Sequence, residues 1–223
     1  MIKENLEKIR ATVPEGVTLV AVSKTKPISD LQEAYDAGQR VFGENYPQEM
    51  REKHEALPAD IQWHFIGHLQ TNKIKYIISY VTLIHSIDTA NLLEAVNKEA
   101  KKHERVVDCL LQFHIAQEET KFGLDLEEAR QLLDSEAFKQ MENVRICGVM
   151  GMGTFTDDME EVRKEFKHLK SIFETLKKDY FAGQPQFKEI SMGMSDDYPI
   201  AIEEGATLIR VGSKIFGARV YVK

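Results

Sequence analysis

Short apolar runs rich in β-branched residues alternate along this chain with longer stretches whose apolar residues recur every three or four positions. That alternation predicts repeated βα units and a parallel sheet. The apolar runs fall at 18–24, 40–45, 62–67, 82–87, 106–115, 144–151, 187–192 and 207–211. Each except the last is followed by a helical pattern, beginning near Ile28, Tyr46, Thr71, Thr89, Asp125, Asp157 and Asp197, where Thr and Asp are suited to capping. Ile2, Leu6 and Ile9 stand at helical spacing and predict an extra helix over residues 2–12, ahead of the first strand. Eight units without a Pro/Gly/Ser-rich linker predict an α/β protein with one domain over 1–223, a single (β/α)8 TIM barrel at the short end of its size class. The alternative, an open doubly wound sheet, has fewer strands and a glycine fingerprint after the first, and neither GxGxxG nor GxxxxGK[ST] occurs.

Composition narrows the partners. A formal net charge of -7 speaks against nucleic-acid binding and leaves a small anionic ligand open. Cys109 and Cys147 lie inside apolar runs, and the amino-terminal segment MIKENLEKIR has no uninterrupted apolar stretch. No segment approaches the roughly 20 apolar residues of a membrane span. The expectation is a cytoplasmic protein with reduced cysteines and no membrane contact.

In a closed parallel barrel the ligand site lies where the strands end. Lys24 ends the first apolar run there, in AVSKTKP, where desolvation lowers an amine's pKa and makes it a nucleophile able to form Schiff bases. A surface lysine paired with a carboxylate is the plainer alternative. Lys26, in the loop before Pro27, reads as solvated. At the other end of the chain, ISMGMS (190–195) and LIRVGSKIFG (208–217) supply Ser191, Gly212 and Ser213 as candidate phosphate donors. They occupy the loops after strands seven and eight and the start of a short helix, a common phosphate site in such barrels. Turn residues ending strands are the alternative for each segment alone. Arg210 lies within the last strand and needs an acceptor, either a carboxylate or a ligand atom.

Glu44 and Asn45 in FGENY, and His64, His68, Gln70 and Asn72 in WHFIGHLQTNK, face the same mouth. The two histidines are four apart on a strand and turn, which is not a metal spacing, so no metal site is expected. Met150, Met152, Met192 and Met194 offer a soft wall for a flat ring, and residues 118–123 a loop able to close over it.

The motifs AVSKTKP, FGENY, WHFIGHLQTNK, ISMGMSDDYPIAI and GATLIRVGSKIFGAR resemble, in order and over essentially the whole chain, those of the pyridoxal phosphate homeostasis protein family. The resemblance implies a barrel related to the alanine racemase amino-terminal domain, with pyridoxal 5'-phosphate (PLP) held as a Schiff base on Lys24. It further implies phosphate contacts at Ser191, Gly212 and Ser213, Arg210 directed at the cofactor ring, Asn45 beside it, and a monomer. Racemases place a tyrosine from a second domain opposite the lysine, and the chain ends soon after its eighth strand. The expected role is therefore reversible PLP holding, with buffering or delivery to apoenzymes, effects on amino-acid and keto-acid balance, and little or no turnover. The alternatives are a small PLP-dependent racemase using Lys24 with His68 or Tyr46, and a binding module whose occupancy a partner senses.

Overall fold

In the computed structural model, which describes residues 1–119 and 122–219, eight parallel strands close on themselves in chain order. They are β1 (Thr18–Val22), β2 (Val41–Glu44), β3 (Gln62–Phe65), β4 (Leu83–Ile87), β5 (Val107–Phe113), β6 (Val144–Gly151), β7 (Glu189–Ser191) and β8 (Leu208–Val211). All eight match expected runs, and seven are shorter than the run, because terminal residues such as Ser23 and Lys24 already belong to loops. Closure is made by β1, which pairs with β2 on one side and with β8 on the other.

The helices follow the expected starts. The helix before the first strand is α1 (Ile2–Arg10), whose Ile2, Leu6 and Ile9 are buried. After it come α2 (Ile28–Asp36), α3 (Pro47–Ala56), a 3-10 helix over Thr71–Tyr76, α4 (Ala90–Lys102), α5 (Leu126–Asp134) and a short α6 (Glu136–Lys139) that the pattern does not predict. The last three are α7 (Met159–Asp179), α8 (Tyr198–Glu203) and α9 (Ser213–Phe216). Thr89 and Asp125 accept backbone N–H groups of the helices they open, and at α7 that role falls to Asp158, one residue beyond the expected Asp157. Asp197 does not cap α8. Its Oδ1 accepts the Met194 N–H at 2.6 Å instead and shapes the loop after β7.

Strand alternation divides the core in two. Val20, Leu83, Leu110, Cys147, Met150 and Leu208 pack together inside the barrel, while outward neighbours such as Ala21, Phe42, Trp63 and Ile209 pack beneath the helices. Among the buried polar residues are His64, His85, Ser191 and Arg210.

The turn after β1 rests on a buried ionic cluster. Lys26 N–H donates to the Ser23 carbonyl at 3.1 Å, and Thr25 between them has φ 63°, a left-handed conformation uncommon outside glycine. Two bonds keep it there: Thr25 N–H donates to Glu49 Oε1 at 2.6 Å, and Lys53 Nζ donates to the Ser23 carbonyl at 2.6 Å. Lys53, on the inner face of α3, also donates to Glu44 at 2.6 Å and to Glu49 at 2.7 Å. Ser23 Oγ adds a donor to Glu44 at 2.7 Å, and the second Glu44 oxygen is buried without a hydrogen bond. Burial outweighs these donors and pushes the Glu44 carboxyl up from 4.5 to about 7.

Because the folded state raises this pKa, it binds a proton that the unfolded chain has already released between pH 4.5 and 7. The Glu44 contribution to stability is thus full below pH 4.5 and is lost as pH rises through 7. Denaturant titrations between pH 4.5 and 7 should show stability falling more steeply in the unsubstituted protein than in Glu44→Gln, by on the order of 3 kcal/mol across the window. Equal slopes would mean that the carboxylate is ionised throughout.

Candidate functional site

At the carboxyl ends of the strands lies a cavity of about 290 Å³, small for a ligand pocket but adequate for a compact aromatic molecule. Val22, Ile66, Met152 and Met194 give it apolar walls. Lys24, Asn45, Ser195, Arg210, Gly212 and Ser213 line it with polar groups, joined by Lys26, Asp196 and Arg219.

Lys24 stands in the pinned turn, half-buried at the cavity edge. Burial lowers its pKa, the nearby Arg219 charge lowers it further, and Glu44 and Glu49 oppose both. Asn45 follows β2, and its Oδ1 is buried without a hydrogen bond. A buried acceptor left open at a cavity wall fits a ligand that donates to it. The close seating of Asn45 depends on Gly67, where a Cβ would come within 2.7 Å of the Asn45 carbonyl oxygen.

The loops after β7 and β8 meet at a hydrogen bond from the Gly212 N–H to Ser195 Oγ, 3.3 Å long. Gly212 approaches β1 so closely that a Cβ would lie 3.0 Å from the Val22 carbonyl oxygen. This turn opens α9, whose first N–H groups have no carbonyl one turn earlier to bond. Backbone N–H groups and the Ser195 and Ser213 hydroxyls together suit a phosphate group, and the Arg210 charge lines the same cavity.

Ser191 does not join them. Its hydroxyl is fully buried at the end of β7, 2.8 Å from His85 Nδ1, and it accepts the Arg210 Nη1–H at 2.5 Å. Ser191 thus lies inside the barrel and does not line the cavity, whereas Ser195, the second serine of ISMGMS, does. Nothing in the sequence separates the two, since they stand four residues apart in one segment.

Arg210 is 4% exposed and donates its second bond to the Gly151 carbonyl at 3.1 Å. Burial pushes its guanidinium down to about 10, against the pull of Asp197, so it stays charged at neutral pH. The carboxylate hydrogen bond weighed as its alternative is replaced by a hydroxyl and a carbonyl.

Lys26 is not the solvated lysine expected. Its Nζ donates to the carbonyls of Phe216, Gly217 and Ala218 at 3.3, 3.2 and 3.1 Å, capping α9 and tying the first loop to the last. Met152 and Met194 line the cavity, whereas Met150 and Met192 are buried core. Glu44 lies beneath the turn, and His64 lies inside the barrel. His68 stacks on Phe122 with ring centroids 4.0 Å apart, and neither it nor Tyr46 lines the cavity. Phe155, which the pattern does not single out, stands at the rim almost fully exposed. In the 118–123 loop, Thr120 and Lys121 lie outside the described residues. Among the described residues no group of three or more His, Cys, Asp or Glu side chains is placed to hold a metal, and no helix is long and apolar enough to cross a membrane.

The family described as alanine racemase, N-terminal domain, matches residues 1–220. A pyridoxal phosphate homeostasis protein of Aquifex aeolicus is 41% identical over 204 residues, which are 91% of this chain and 87% of that protein. PipY of Synechococcus elongatus, solved without and with PLP, is 36% identical and superposes with TM-scores of 0.90 and 0.87, covering 97% of this chain and 100% of its own. An alanine racemase of Clostridium difficile shares the fold alone, with a TM-score of 0.74 at 14% identity, over 98% of this chain and 56% of the racemase. The chain therefore belongs to the alanine racemase N-terminal domain family and, within it, to the pyridoxal phosphate homeostasis proteins.

Proposed function

We propose that this protein holds PLP reversibly on Lys24 and serves to buffer it or deliver it to apoenzymes in the cytoplasm, acting as a monomer with little or no turnover. The observation that carries this reading is the convergence in one cavity of a desolvated amine, a charged arginine and an anion cradle drawn from opposite ends of the chain. It agrees with PipY, a relative solved with PLP bound.

PLP, when bound, supplies a reactive aldehyde. Lys24 meets it with an amine whose neutral form burial favours, held by a turn that Glu49 and Lys53 keep in place. Ser195, Gly212 and Ser213 hold the phosphate end through uncharged donors. Asn45 would offer an acceptor to the ring's edge, and Arg210 would face the ring nitrogen. A permanent cation there disfavours protonation of that nitrogen and weakens the ring as an electron sink. Racemisation needs a second acid–base group facing Lys24. His68 and Tyr46, the candidates for it, stand away from the cavity, and of the titratable residues beside Lys24 in the lining, Lys26 is engaged by three carbonyls while Asp196 remains to be tested by exchange.

Borohydride reduction of the PLP-loaded protein, followed by peptide mass mapping, should place the label on Lys24, and Lys24→Ala should take up none while remaining folded. Label on another lysine would overturn the assignment. Ser195→Ala should weaken PLP retention by about 1.5–3 kcal/mol, the worth of a hydrogen bond to a charged group, and unchanged retention would remove Ser195 from the phosphate site. Amino acids incubated with the loaded protein in deuterium oxide should keep their Cα hydrogen, and exchange at a rate useful for metabolism would instead make the protein a small racemase.

A further inference from the structure

Beneath the cavity, four buried side chains from four strands form a continuous hydrogen-bonded row across the barrel interior. Arg210 on β8 donates from Nη1 to Ser191 Oγ on β7 at 2.5 Å. Ser191 Oγ lies 2.8 Å from Nδ1 of His85 on β4, and His85 Nε2 lies 2.9 Å from Nδ1 of His64 on β3. Ser191 and His85 are wholly buried, while Arg210 and His64 are 4% and 5% exposed. None of these contacts follows from holding a ligand at Lys24.

We infer that His85 is a positioning residue for Arg210, acting through Ser191 in a row whose hydrogen bonds all run one way. Ser191 already accepts from Arg210, so its own proton needs an acceptor, and among the described residues the one in reach is His85 Nδ1. His85 therefore carries its proton on Nε2 and donates it to His64 Nδ1. His64 in turn carries its proton on Nε2. His64 lines a second cavity of about 510 Å³, at the amino-terminal face of the barrel, where that donor has room for water. The opposite direction would have His85 donate to Ser191 and leave a hydroxyl proton unpartnered in a fully buried position.

Neutral rings are required for either direction, and burial supplies them. It pushes His64 down to about 4, and His85 falls well below its ordinary value through burial first and then the charges of His64 and Arg210. With this polarity every acceptor in the row faces the arginine, and each bond polarises the next. The row does not conduct protons to the cavity, because it ends on a guanidinium that keeps its own. Its effect is geometric. Ser191 fixes one end amine and the Gly151 carbonyl the other, which sets the plane of the guanidinium and turns its remaining donors to the cavity.

The consequence for PLP rests on the proposed function, but the row itself does not. The first experiment is ¹⁵N NMR of ring-labelled histidines in the protein without added PLP, assigned with His64→Gln and His85→Gln. Both His64 and His85 should be neutral with the proton on Nε2. A proton on His85 Nδ1, or an imidazolium at either site near neutral pH, overturns the inference whether or not PLP binds. The second is PLP titration. His85→Phe should weaken retention by roughly tenfold and shift the absorption band of the loaded protein, as the loss of one hydrogen bond orienting a charged group implies. His85→Gln, whose amide oxygen accepts from Ser191 while its amide N–H donates to His64, should restore both. Retention and spectrum in folded His85→Phe equal to those of the unsubstituted protein overturn the inference, and where that variant does not fold, the ring-proton pattern decides. Failure of the unsubstituted protein to take up PLP would sink the proposed function and leave the NMR result standing.

Discussion

A guanidinium charge held inside a closed barrel constrains everything around it. Arg210 occupies an inward position of the last strand, where an isolated charge is strongly disfavoured. The barrel answers with dipoles, a serine hydroxyl on one side and a backbone carbonyl on the other, and leaves part of the arginine fork facing the cavity. An acceptor on an incoming ligand completes the set. The interior histidines, the loss of Ser191 from the cavity wall and the polarity of the pocket all follow from accommodating that charge.

The opposite wall is governed by a second burial problem. Lys24 needs a fixed direction but must stay free of a strong partner, since an intimate carboxylate would keep its amine charged. The carboxylates nearby are instead engaged by Lys53, which donates to Glu44 and Glu49 and leaves Lys24 with their weaker, longer-range pull. One buried lysine thus lets another act as an amine. The arginine and the lysine cluster share no hydrogen bond, and they meet only across the cavity.

Most of the architecture was legible because it depends on periodicity. Eight apolar runs gave eight strands, and seven expected helical segments appear with starts at or within two residues of their predicted places. The candidate residues Lys24, Asn45, Arg210, Gly212 and Ser213 do converge, since strand ends and their loops gather at one face of a barrel. That Ser195 lines the cavity while Ser191 is buried was not legible, because it depends on how the end of β7 and its loop are turned. His85 stands in the sequence as a polar residue within an apolar run, and its meaning comes from Ser191, more than a hundred residues away. Lys53, four residues after Glu49, reads in sequence as half of an exposed helical pair, and only the packing of α3 against β1 and β2 makes it buried. Lys26 looked solvated because its three carbonyl partners lie near the far end of the sequence.

That last contact has a consequence for the order in which the protein can be made. Lys26 grips the end of α9, and Asn5 of α1 donates to the Ile215 carbonyl of the same turn at 2.9 Å. The amine of the site is thus translated among the first residues and the phosphate cradle among the last, with six strands in between. A ribosome-bound chain carries Lys24 long before the residues that complete the cavity around it. The cavity is complete only with the final strand beside the first, where β8 closes the barrel on β1.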